Sequence, residues 1–156
     1  MTPRFLFAVL LAGALLAPGC GSSTPTITGV TRAVIDVSVA PSPVPGTQNA
    51  LTGSVTAAYT VTITETAGLG GDVDFVSSTV YDPSTGKQVA LTYYDGADLV
   101  VYVGSKRVEP QGTLVVPQTV TYALSDLSKA ANLTVSVQMR DDRQNLIQSS
   151  VLVKIE

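Results

Sequence analysis

The chain has 156 residues, 45% of them hydrophobic and only 13% charged, with a formal net charge of −3. It holds one cysteine and neither histidine nor tryptophan, which excludes Ser-His-Asp and Cys-His nucleophile arrangements, histidine acid–base work and His/Cys zinc sites. The negative balance argues against nucleic acid or anionic lipid headgroups as partners, and the acids are scattered, not gathered in a tail.

The N-terminus reads as a secretory leader. Arg4 and the terminal amine give a short positive region, followed by an unbroken apolar run from Phe5 to Ala17. As a helix that run spans ~20 Å against a hydrocarbon core of ~30 Å, so export fits better than membrane spanning. No later apolar run is long enough to span.

The junction Leu16-Ala17-Pro18-Gly19-Cys20 resembles the lipobox of bacterial lipoproteins. Gly19 and Cys20 match that pattern, while Ala17 stands where leucine is commonest and Pro18 where a small residue is usual. The resemblance implies loss of residues 1–19 as a lipoprotein signal peptide, diacylglycerol on the Cys20 sulfur, and acylation of its amine. Two or three acyl chains would then hold the chain in a membrane. In enteric members of the family an aspartate after the cysteine retains the protein at the inner membrane. Gly21 stands there instead, which implies the outer membrane. Ordinary cleavage after Gly19 is the alternative, and would leave a periplasmic or secreted chain. Residues 20–30 read as the acylated cysteine and a flexible Ser/Thr-rich tether, whose Gly21–Gly29 stretch reaches roughly 30 Å when extended.

From residue 31 to 156 the apolar period is two, which predicts strands. Ile35, Val37 and Val39 alternate with Asp36 and Ser38; Val55, Ala57, Tyr59, Val61 and Ile63 alternate with Thr56, Thr60, Thr62 and Thr64. Leu133 to Met139 and Ile147 to Ile155 repeat the pattern near the C-terminus. One apolar and one hydroxyl-rich face per strand suits an antiparallel sheet with one wet side. Turn chemistry marks Asp82-Pro83-Ser84-Thr85-Gly86, Asp95–Asp98 and Asp141–Asn145 as hairpin connections, and Pro41–Gly46 as the start of a longer crossing loop. Leu124–Ala131 is expected to form a helical turn capped by Ser125 or Asp126. About eight short strands predict an all-β, antiparallel two-sheet sandwich. The closing hairpin and the turn after Tyr81 resemble those of bacterial immunoglobulin-like and fibronectin-type-III-like domains, without the disulfide and core tryptophan of antibody-type domains.

Val89–Val103 departs from the one-wet-face rule. As a hairpin about Asp95–Asp98, one face carries Tyr94, Leu99, Val101 and Val103, and the other carries Leu91, Tyr93, Val100 and Tyr102, equally apolar. Two readings follow. Either another element, such as the loop around Pro41–Leu51, covers the second face, or Leu91, Tyr93, Val100 and Tyr102 form a partner-binding patch anchored by the tyrosines.

Chemistry is sparse elsewhere. Asp72 with Asp74, and Asp141 with Asp142 and Asn145, offer too few oxygens for calcium, so no metal is expected. Glu65 and Glu109 sit in no recognisable glycosidase motif. Ser105-Lys106 and Ser128-Lys129 are adjacent pairs whose side chains diverge on a strand. No catalytic residue and no cofactor are expected. The expectation is a lipid-anchored envelope module for binding, adhesion or assembly, meeting a protein or glycan partner. The alternative is a carbohydrate-binding accessory domain that uses exposed tyrosines.

Overall fold

A computed structural model describes residues 29–156, so the leader, Cys20 and the tether as far as residue 28 lie outside the described residues. The two-residue alternation is kept almost throughout. Strands β1 (Ile35–Ala40), β2 (Gly46–Gln48), β3 (Ser54–Glu65), β4 (Gly71–Tyr81) and β5 (Gln88–Asp95) lead into one helix, α1 (Gly96–Val103). Strands β6 (Arg107–Val108), β7 (Thr113–Ala123), β8 (Ala131–Asp141) and β9 (Leu146–Ile155) follow.

Two antiparallel sheets result. In the first, β3 is central, with β7 on one side and β1 and β2 end to end on the other. The second runs β5-β4-β8-β9, with β6 extending the β5 side of β4. Their inner faces bury Val37, Val61, Ile63 and Val116 against Val76, Val80, Leu133, Val135 and Met139. Each such side chain contributes ~1.5–3 kcal/mol when fully buried. The threonine face of β3 turns outward, where Thr56 Oγ1 lies 3.0 Å from Thr121 Oγ1 of β7. This is the antiparallel two-sheet sandwich that the periodicity predicts, of the immunoglobulin-like class that the resemblance of the closing hairpin implies, with nine strands among the described residues.

The turns after Tyr81 and Asp141 join neighbouring strands as read from the sequence. In the first, Gly86 (φ +68°) takes the left-handed conformation that closes it, and its N–H donates to the Asp82 carbonyl. The Pro41–Pro45 segment leaves the edge of β3, and Val44 bridges in parallel to Ile155 of β9 before β2 rejoins that same edge. It therefore ties the two sheets together on the β1–β9 side and does not cover Val89–Val103.

Two local expectations are corrected. Leu124–Ala131 forms no helix, because the Ser125 N–H and hydroxyl both donate to Asp82 Oδ2 (2.9 and 2.6 Å), while Asp126 closes a short turn on Ser128. Nor does Val89–Val103 form a hairpin: its second half is α1.

Candidate interaction surface

The run Leu99-Val-Val-Tyr-Val103 is rich in β-branched residues, which favour strands. Its ends and its docking make it a helix. Asp95 Oδ1 accepts from Ala97 N and Asp98 N (2.8 and 2.9 Å), and Asp98 Oδ2 accepts from Asp95 N (3.2 Å), a closed capping box. At the other end Gly104 (φ +87°) takes the left-handed cap and donates to the Val100 carbonyl at 3.1 Å. Between them Leu99 is fully buried where α1 lies against β4, β5 and β7, so the helix closes the flank between the two sheet edges.

This geometry splits the four candidate binding residues. Leu91 and Tyr93, two apart on β5, share the outer face of the second sheet and are 55% and 52% exposed. Tyr93 stacks on Phe75 of β4, centroids 5.4 Å apart at 29°. Val100 and Tyr102 belong to α1, not to that face. Tyr102 packs instead against Tyr94, the inward neighbour of Tyr93, at 5.4 Å. Both tyrosines remain open to solvent, as does Val101. The face beside Phe75 carries a shallow pocket of about 390 Å³ lined by Ser136, Gln148 and Ser150.

Every carboxylate singled out in the sequence has a partner of its own. Glu65 is 1% exposed and accepts four backbone N–H groups, from Val34 and Ala67 on Oε1 and from Gly68 and Gln111 on Oε2. Burial pushes its carboxyl up, but those donors together hold it below the ordinary value. Asp141, also buried, accepts from Ala33, Arg143 and Asn145 and is lowered against the same opposing burial. It is no solvated turn aspartate. Asp142 turns away from it to a two-pronged pair with Arg107, both contacts 2.9 Å. Asp72 meets Lys106 at 3.2 Å, Asp74 faces Arg140 at 3.8 Å, and Glu109 accepts from Arg107. These acids are answered by cations, and no trio of metal-ligating side chains forms among the described residues.

The serine–lysine pairs do not meet. Ser105 Oγ accepts from Arg107 N, and Ser128 Oγ donates to Asp126. Ser84 and Lys87 stand at Ser-X-X-Lys spacing but are both exposed in the β4–β5 turn. Two buried polar side chains, Gln118 and Ser78, were not singled out in the sequence. Gln118 points inward from β7, its Oε1 accepting from Tyr59 (3.1 Å) and Ser78, while its Nε2 has no partner among the described residues. Burial pushes the Tyr59 hydroxyl up to about 12. Strict alternation along β7 was the signal that would have placed Gln118 inside.

No helix among the described residues is long and apolar enough to cross a membrane. No protein-family model matches the chain, and no curated protein sequence matches it. Among solved structures, a putative ApaA protein from Bordetella pertussis is similar over 79% of this chain and 94% of its own, with TM-score 0.57 and 14% identity. A structural genomics target solved by X-ray methods is similar over 76% and 84%, with TM-score 0.55 and 12% identity. At such identities the likeness extends to the fold alone.

Proposed function

We propose that the chain is a lipid-anchored envelope protein, held at the outer membrane through Cys20, whose sandwich is a non-catalytic binding or assembly module. The observation that carries this reading is the pair Leu91 and Tyr93, about half exposed on a Ser/Thr/Gln-rich sheet face that also exposes Leu146 and Leu152 on β9. Exposed apolar and aromatic groups in that setting mark a contact surface for a protein partner. The engagement of Glu65, Asp82 and Asp141 by backbone donors supports the non-catalytic part, since no free carboxylate pair remains at those positions. Intact-mass analysis beside Cys20→Ala tests the anchor: residues 20–156 plus acyl chains are expected, and an unmodified soluble chain refutes it. Photo-crosslinking from position 93 in intact cells tests the face. A discrete protein adduct that Leu91→Ser abolishes is expected; an identical adduct from the remote position 51 would count against it.

A second reading has an observation of its own. Tyr93 stacked on Phe75, beside hydroxyl and amide side chains, is the kind of aromatic platform on which a sugar ring rests. Calorimetry against envelope glycans separates the two, because heats lost in Tyr93→Ala would favour the glycan.

A further inference from the structure

A strand at the edge of a sheet presents unpaired main-chain groups that invite another strand, and folded chains blunt such edges with proline, charge or a covering element. Both edges on the α1 flank are blunted. The helix lies against β5 and β7. The Glu65 N–H donates to the Gly112 carbonyl (2.9 Å), which turns the even-numbered residues of β7 towards β3 and leaves the nitrogen of Pro117, which carries no hydrogen, at the outer edge. On the opposite flank β1 is only six residues long and passes straight into Pro41.

The edge of β9 is different. At its end Val44 N donates to the Lys154 carbonyl (2.8 Å) and Glu156 N to the Val44 carbonyl (2.9 Å), so the even-numbered residues of β9 turn away from β8. The β8–β9 register has no bulge, which carries the same polarity back to Leu146, whose carbonyl accepts from Arg32 Nη2. Between these two covered ends, the N–H and C=O of Gln148, Ser150 and Leu152 have no hydrogen-bond partner among the described residues. No proline, charged residue or bulge interrupts the stretch.

Its sequence, Leu146-Ile-Gln-Ser-Ser-Val-Leu152, is close to a palindrome about Ser149. We propose that β9 pairs antiparallel with β9 of a second copy of this chain, across a two-fold axis at Ser149, so that the two second sheets become one. Leu146 then faces the partner's Leu152 and Gln148 faces the partner's Ser150 on the outer face. Ile147 faces the partner's Val151 on the inner face. Every outward-turned residue meets another, as an antiparallel ladder requires. Leu146 and Leu152, 42% and 63% exposed, gain apolar cross-strand neighbours. An axis at Ser150 would set Leu146 against Lys154, whose carbonyl Val44 already occupies, and would put Gln148 against Leu152. A symmetric, self-complementary patch is what a two-fold dimer needs. Leu91 and Tyr93, on β5 at the other edge of the sheet, stay free in it.

The register is tested by thiol pairing in the full chain, with the parent, whose one cysteine is Cys20, as control. Ser149 would oppose its own copy in a pair that is not hydrogen-bonded, with Cα atoms ~4.5 Å apart, within disulfide range. Ser150 would lie on the diagonal from its copy, at ~7–8 Å. Mild oxidation of Ser149→Cys is therefore expected to give a reducible dimer, and Ser150→Cys and the parent little. Sedimentation of the detergent-extracted parent at high micromolar concentration should give twice the chain mass. Ser150→Pro removes an N–H that β8 does not use, and should weaken association about tenfold or more. Gln148→Lys with Ser150→Lys, which sets lysine opposite lysine without touching the β8–β9 ladder, should do the same with an unchanged circular dichroism spectrum. A parent that stays monomeric, or cross-linking from 150 equal to that from 149, overturns the proposal. A monomer with slow hydrogen exchange at Gln148, Ser150 and Leu152 overturns it in favour of the chain's own residues 20–28 on that edge.

Discussion

Asp95 and Asp98 each accept the other's backbone N–H, and this reciprocal pair converts the end of a strand into the start of a helix. Replacing an aspartate at such a cap by alanine costs ~1 kcal/mol. Asp95→Ala is therefore expected to lower the unfolding free energy measured in urea by that amount, while Asp95→Asn, which still offers an oxygen, stays close to the parent. Equal losses in the two variants would show that the carboxylate is not serving as a cap.

Leu99 and Val101 decide between helix and hairpin. On a strand they share a face; on α1 they are set apart, Leu99 fully buried and Val101 76% exposed. Leu99→Ala is expected to cost ~2–5 kcal/mol, and Val101→Ala within ~0.5 kcal/mol. Similar penalties at both positions in denaturant titrations would return the segment to a strand.

These two positions also mark where the sequence stops being legible. The alternation of β1, β3, β8 and β9 survives folding because each strand has one buried face, so period and burial report the same thing. The run from Leu99 to Val103 misleads because its intrinsic preference is for strand and tertiary burial overrides it. The readable signal was local: Asp95 and Asp98 at capping-box spacing, with Gly104 beyond the apolar run. Tyr93 and Tyr102 were legible as surplus apolar residues, and both are exposed, but their separation onto a sheet face and a helix depends on that misread turn. Glu65, Asp82 and Asp141 were not legible as clips, since many of their donors are backbone N–H groups distant in sequence.

Asp82 joins the β4–β5 turn to the β7–β8 loop. Its carboxylate accepts from the Ser125 hydroxyl and N–H and from Ser84 N and Thr85 N, led by the Ser125 hydroxyl, which hold its carboxyl down to about 2. A carboxyl that is lowered on folding stabilises fully above its unfolded value, about 4, and loses that contribution as pH falls through the folded one. Asp82→Asn should therefore lower Tm at neutral pH, with the gap to the parent narrowing from pH 4 towards pH 2. A gap that stayed constant over that range would place the effect in packing and not in charge.

Glu65 holds three separate pieces of chain, the segment before β1, the β3–β4 connection and the β6–β7 turn, through four N–H donors on two oxygens. Glutamine keeps the shape but offers one oxygen, so two buried donors would face an NH2 group. Such unpaired donors cost ~1–3 kcal/mol each, which puts Glu65→Gln at about 3 kcal/mol in urea unfolding at neutral pH. Because the carboxyl is held below its ordinary value, the parent gives up this advantage as pH falls below about 4, and the two proteins should converge in acid. Loosening should also be local, with faster hydrogen exchange at Val34, Ala67, Gly68 and Gln111 than in the β4–β8 ladder. Uniformly faster exchange across both sheets would mean that Glu65 supports the whole sandwich and not the end where the chain leaves its tether.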